Sequence, residues 1–193
     1  MLLPSERVPL HVFEERYKEL IDECVALDAE FGLLYADESG LREIGCRAAV
    51  VEVIERFEDG RLNILVEGGE RFRILRHTGG REFSTAEVEP VADDGPRAGP
   101  EDAARALNAF HQLVELVEAE VELPDLLSPQ LSFELAGRVE LEHEAKQELL
   151  ESRSEPQRLE RVAELLEAAA ASVALAEEAR KRASGNGKVS PPG

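Results

Sequence analysis

With 193 residues, 43% apolar and 33% charged, the chain is long enough to bury a real core and too apolar for wholesale disorder. The formal net charge is −19, and both halves are acidic: residues 1–95 carry 22 acidic against 11 basic side chains, residues 96–193 carry 19 against 11. With no basic face to neutralise phosphates, the composition argues against nucleic acid and against an anionic membrane surface as partners.

The first element is a strand that runs into a helix. Pro9 to Val12 are extended in character, because proline fixes φ and biases its predecessor toward β. From Phe13 the period changes: Phe13, Tyr17, Leu20, Ile21 and Cys24 fall on one helical face, and the helix ends near Leu27. Glu14 and Glu15 suit the first turn of its dipole, and Glu14 stands i,i+4 to Lys18. Phe31 to Tyr35 is a short apolar run expected as a buried strand, followed by a turn at Asp37-Glu38-Ser39-Gly40.

A meander is expected next. Arg47–Phe57 is rich in Val and Ile, and Asp59-Gly60 is a hairpin signal because a type I′ turn needs positive φ. Leu62, Ile64 and Val66 alternate with polar residues, and Gly68-Gly69 reads as a second turn. Phe72 and Ile74 alternate with Arg71 and Arg73; Gly79-Gly80 is a third turn, and Phe83–Glu89 closes the set before Pro90. Four such strands, with those near residues 8–12 and 31–35, make six. They are expected to curl into a small antiparallel barrel or sandwich, with the stretch Val50–Ile54 central and the helix over one side.

Ala92 to Pro100 is a linker by composition. Helices are then expected from Pro100 to Pro124, from Ser128-Pro129 to about Arg138, near Glu142–Glu151, and from Ser154 to about Arg182, each with an apolar face. The expectation is an α+β chain: a β-rich half over 1–92, a linker at 93–100, a helical half over 101–183 and a disordered tail at 184–193, which lacks apolar residues save Val189.

Motifs for chemistry are few. His11, His77, His111 and His143 have no zinc-ligand spacing, and no Cys-x-x-Cys, Walker, Gly-x-Ser-x-Gly or dinucleotide motif occurs. No cofactor, metal or catalytic residue is therefore assigned. No run approaches the roughly 20 apolar residues of a membrane span. The N-terminus lacks a basic start before an apolar run, so no signal peptide is read, and Cys24 and Cys46 read as reduced core cysteines of a cytoplasmic protein.

Pro9-Leu10-His11-Val12-Phe13-Glu14-Glu15-Arg16-Tyr17 resembles the signature of the Lon protease N-terminal, or substrate-binding, domain. Phe31-Gly32, Gly45–Glu52, Asp59–Ile74, Lys146–Glu151 and Arg158-Leu159 extend the resemblance in order over about residues 1 to 167. The resemblance implies a PUA-like β half followed by a helical bundle, acting as a non-catalytic module that binds protein or peptide clients. It brings none of the ATPase and serine–lysine peptidase machinery of a full-length Lon.

The same resemblance points to His11, Phe13, Glu14, Arg16, Tyr17, Glu70, Arg71 and Phe72 as peptide-contacting residues. The alternative for Glu14, Arg16, Glu70 and Arg71, favoured on general grounds, is that their ion pairs pin the first helix to the meander. His11 is expected to be half-buried and hydrogen-bonded. Phe13, Tyr17, Phe31, Phe72 and Phe83 are expected in the core, with any exposed one a candidate contact. A competing function is a small-ligand or enzymatic pocket inside the barrel, where His11, Arg16 or Glu70 would converge.

An RNA-binding role would suit the β half but not the charge. The family pattern has an apolar strand and a Leu-Pro-Gly turn before the Pro-Leu-His stretch. Here Leu3-Pro4-Ser5 falls on that turn, so a strand is expected upstream of Met1, with weak self-association through an open sheet edge if it is lacking.

Overall fold

The computed structural model describes residues 1–185 apart from Ser39, Leu123 and Leu127, with only the backbone described at 183–185. The elements are β1 (Arg7–Val12), α1 (Glu15–Leu27), β2 (Phe31–Leu33), β3 (Ala36–Asp37), β4 (Gly40–Leu41), β5 (Ile44–Arg56), β6 (Leu62–Thr78), β7 (Thr85–Pro90), α2 (Pro100–Val117), α3 (Leu131–Ala136), α4 (His143–Glu151) and α5 (Glu155–Gly185). The α+β reading holds. The six-strand barrel does not: among the described residues the sheet is open, with five antiparallel strands in the order β1-β6-β5-β2 and β7 also on β6, while β3 and β4 form a separate ribbon.

The long strand β6 is the reason. It runs straight through Gly68-Gly69, where a second hairpin was expected. One of its edges is shared, β1 pairing with Leu62–Glu67 and β7 with Phe72–Thr78, while β5 follows the other edge. The two glycines serve a close approach instead of a turn. The N-terminal segment crosses over them, with Ser5 N–H donating to Gly68 O at 2.8 Å and Gly68 N–H donating to Glu6 O at 2.9 Å. A Cβ on Gly68 would lie 1.9 Å from Leu3 O.

The other two turns are where the sequence placed them. Gly60 closes β5 onto β6 with φ +82°, and Gly80 closes β6 onto β7 with φ +101°. Of the pair only Gly60 takes positive φ, and its N–H donates to Phe57 O at 3.0 Å, so the turn is not the expected type I′ but a longer loop from Arg56 to Leu62 that ends in a left-handed glycine.

The stretch Val50–Ile54, expected to be central, is not: Val50 is half-buried and Val51 to Ile54 are exposed, as are Glu55 and Arg56. β2 pairs only with Cys46–Ala48, so the outer edge of β5 loses its partner beyond that point. The helices α3 and α4 begin and end within a few residues of the expected places, whereas α2 begins at Pro100 as expected but stops at Val117, seven residues short of Pro124, with Glu118 in the left-handed conformation. The last helix continues through Ser184 and Gly185, and the rest of the expected tail, 186–193, lies outside the described residues.

One cluster of buried apolar side chains runs from the sheet into the helices. It joins Cys46, Ile64 and Val66 with Leu2 and Leu3 of the N-terminal segment and with Phe110, Phe133, Leu150 and Leu159. The N-terminal segment is anchored by polar bonds too: the buried Glu6 carboxylate accepts from Leu3 N–H at 2.9 Å and pairs with Lys146 of α4. Among the described residues no helix is long and apolar enough to cross a membrane.

Candidate functional site

A groove of about 600 Å³ opens between α1, β2 and β7. Its floor is built by β6, where Phe72 and Ile74 follow the two-residue period onto one face. The ring of Phe72 lies against β2. Gly32 leaves the room for it, since a Cβ there would sit 2.7 Å from Phe72 Cζ. One wall is α1, which brings Tyr17, Leu20 and Ile21 round at helical spacing; the opposite wall is β7, with Thr85, Ala86 and Val88. Phe31 and Leu33 of β2 complete the lining, and His11 to Glu14 stand at the mouth, where β1 ends and α1 begins.

Two aromatic residues at that mouth are out of the core. Phe13 is 61% exposed and Tyr17 is 40% exposed. Phe13 stacks on His11 with ring centroids 6.1 Å apart, and the Arg16 guanidinium lies 4.5 Å from the centre of the Tyr17 ring. His11 is exposed rather than half-buried, but its hydrogen bond is present: Nδ1 is 2.7 Å from Asn63 Oδ1.

The eight residues singled out by the family resemblance thus divide. His11, Phe13, Glu14, Tyr17 and Phe72 line the groove. Arg16, Glu70 and Arg71 do not, and Glu70 is exposed elsewhere.

Charge pairing differs from the sequence reading. Glu14 accepts from Arg16 at 2.9 Å and Lys18 pairs with Glu15 at 2.8 Å, so the expected Glu14–Lys18 partnership is replaced by local pairs. What ties α1 to the sheet is a set the sequence did not mark. Arg56 reaches Asp22 at 2.8 Å, Arg81 reaches Glu23 at 2.7 Å, and Lys18 donates to Asp59 O at 3.1 Å.

Arg71 points away from α1 into a buried network with the helices. It donates to Leu150 O at 2.8 Å and to Asp93 Oδ1 at 2.6 Å, and its guanidinium lies 5.3 Å from the centre of the Phe133 ring. Burial lowers its pKa, as does the neighbouring Arg158, while Asp93 opposes the shift.

Chemically, the groove offers an apolar floor, two accessible aromatic rings and the outer edges of β2 and β7, which among the described residues carry no further strand. Among the described residues no three His, Cys, Asp or Glu side chains gather as a metal site. Both thiols are buried, and the Cys46 thiol is pushed up to about 12, first by burial.

The groove is thus open and aromatic-rimmed, on an antiparallel sheet packed against helices. The chain belongs to the family of the substrate-binding domain of the ATP-dependent protease La (Lon), whose model matches residues 1–168. The Lon protease of Paraburkholderia phytofirmans is 29% identical over 184 residues, covering 84% of this chain and 22% of that protein. The chain thus spans about a fifth of the length of the curated Lon relatives it matches.

Two solved structures share the fold. One is the Lon N-terminal domain protein from Xanthomonas campestris (TM-score 0.61, 24% identity, 84% of this chain and 90% of that one). The other is the N-terminal domain of Mycobacterium avium complex Lon protease (TM-score 0.64, 20% identity, 86% and 92%).

Proposed function

We propose that this protein is a non-catalytic module that binds segments of client proteins in the groove between α1, β2 and β7, in the service of proteolysis or quality control. The observation that carries the reading is the exposure of Phe13 and Tyr17 at the rim of an apolar groove. Large aromatics that could have been buried are held in solvent there, and exposed aromatic anchors dominate protein-binding surfaces. Membership of a substrate-binding domain family supports the same reading.

Peptide-contacting roles fall to His11, Phe13, Glu14, Tyr17 and Phe72, which line the groove; Arg16 acts by orienting Tyr17. Glu70 and Arg71 are assigned structural roles, because they lie outside it. A small-ligand pocket has less support, since Arg16 and Glu70 do not converge on the groove with His11. Two buried, unpaired thiols fit a reducing compartment, the cytoplasm.

The test is titration of the protein with a fluorescent, permanently unfolded polypeptide, such as reduced and carbamidomethylated lysozyme. Replacing both Phe13 and Tyr17 by Ser is expected to raise Kd about tenfold or more while leaving the melting temperature near the parent's. An unchanged Kd removes the groove from the function. Casein and ATP are expected to remain unhydrolysed by a contaminant-free sample, and turnover of either overturns the non-catalytic assignment.

A further inference from the structure

We infer that the groove takes its client as an added β-strand, and that the preferred segment is extended, apolar and basic. This rests on the reading that the groove binds polypeptide, and it goes beyond it in naming the mode and the chemistry.

The mode follows from the sheet topology. Among the described residues β2 has a strand on one side only, and β7 pairs with β6 alone. The open edges of β2 and β7 therefore belong to strands that both line one groove. Such an edge presents alternate N–H and C=O groups that need partners when water is displaced. A helical occupant satisfies its own backbone and would strand those groups against an apolar floor. An extended segment pairs with them and at the same time sends every second side chain down onto Phe72 and Ile74. β7 is the better template, because it has six residues against three in β2.

The chemistry follows from charge. The charged side chains that line the groove are Glu14 and Glu30 against Arg47, and neither β2 nor β7 carries a basic residue. The lining is thus net acidic by one charge within a chain of net charge −19, which attracts cationic segments and repels anionic ones. A strand with apolar side chains facing the floor and Lys or Arg facing outward satisfies the edge, the floor and the field together.

The experiment compares labelled short peptides by fluorescence anisotropy on the full chain. The first alternates Val and Lys. The second is the same peptide with alternate backbone amides N-methylated, which removes strand donors and keeps the side chains. The third alternates Val and Glu. The expected result is binding of the first, with the second and third each weaker by about tenfold or more. Amide hydrogen exchange is expected to slow in β7 when the first peptide binds.

Equal binding of the N-methylated peptide, or unchanged exchange in β7, overturns strand addition while leaving groove binding intact. Equal binding of the Val/Glu peptide overturns the basic preference. Unfolded lysozyme that binds through Phe13 and Tyr17 while the Val/Lys peptide does not bind overturns this inference alone. Failure of both overturns the proposed function with it.

Discussion

Arg158 and Asp93 meet through two hydrogen bonds, 2.7 Å from Nη1 and 2.6 Å from Nη2, with the Arg158 side chain wholly buried. The same guanidinium donates to Glu155 at 2.6 Å and to Ser132 Oγ at 3.0 Å, and it lies 4.5 Å from the centre of the Phe133 ring. Asp93 also receives Arg71 from β6, so one carboxylate joins the sheet to the last helix. Removing one member leaves the others charged and buried, which costs far more than the intact network gains. Arg158→Ala is expected to destabilise the protein by about 3–5 kcal/mol, read from denaturant unfolding. A loss below about 1 kcal/mol would show that the network is dispensable.

The acid side of stability follows from the same carboxylate. Burial acts to raise the Asp93 pKa, but the hydrogen bonds and charges of Arg158 and Arg71 outweigh it and hold the group below its ordinary 3.8. A carboxylate depressed on folding contributes stability that is present above the unfolded pKa and lost as pH falls through the folded one. The Asp93 contribution is therefore expected to be complete at neutral pH and to fade below about pH 4. Asp93→Asn is expected to be less stable at pH 7, with the gap to the parent narrowing in acid. A gap that does not change with pH removes Asp93 from the titration.

Much of this was legible because it depends on local rules. Period-2 and period-3.6 patterns located most elements, and Asp59-Gly60 and Gly79-Gly80 signalled their turns. What the sequence hid was non-local. Gly68-Gly69 has turn composition, but its reason is the crossing of Ser5 and Glu6, far away in sequence, which no local pattern carries. Because β6 runs on through that pair, two of the expected strands are one, and the sheet has five strands in an open order. Of the site, the His11–Tyr17 stretch was visible as a motif, whereas helical spacing put Phe13 and Tyr17 on the apolar face and did not show that they stand exposed at the groove. Arg71 sits in the same motif block but faces the helices, a direction set by the core.

The two kinds of glycine separate in an experiment. Gly60 is required by its backbone angle, so Gly60→Val is expected to cost about 1 kcal/mol or more, a β-branched residue resisting φ +82°. Gly68 is required by contact, so even Gly68→Ala is expected to cost about 3 kcal/mol or more, because backbone atoms of Leu3 must move. Denaturation midpoints that rank Gly68→Ala as the milder change would contradict the crossing.

Cys46 is fully buried with its thiol pushed up to about 12, so at neutral pH it is almost entirely protonated as well as shielded. Iodoacetamide is expected to leave it unmodified in the native protein and to label it on unfolding, with peptide mass spectrometry as the readout. Rapid labelling of native Cys46 would mean that β5 opens locally at little cost.

Ser5 adopts φ +63° in the turn that follows Leu3-Pro4. A non-glycine residue in the left-handed region is strained by about 1 kcal/mol, since Cβ crowds the following carbonyl. The turn cannot relax, because Leu2 and Leu3 are buried on one side of it and Ser5 N–H is fixed to Gly68 O on the other. Ser5 itself is exposed, so its side chain contributes little to set against the strain. Ser5→Gly is expected to stabilise by about 0.5–1 kcal/mol, the relief of strain exceeding the added freedom of the unfolded chain. For a chain of this length that is a rise of about 1–4 °C in Tm by calorimetry. An unchanged or lower Tm would show that the serine angle is relieved by its neighbours.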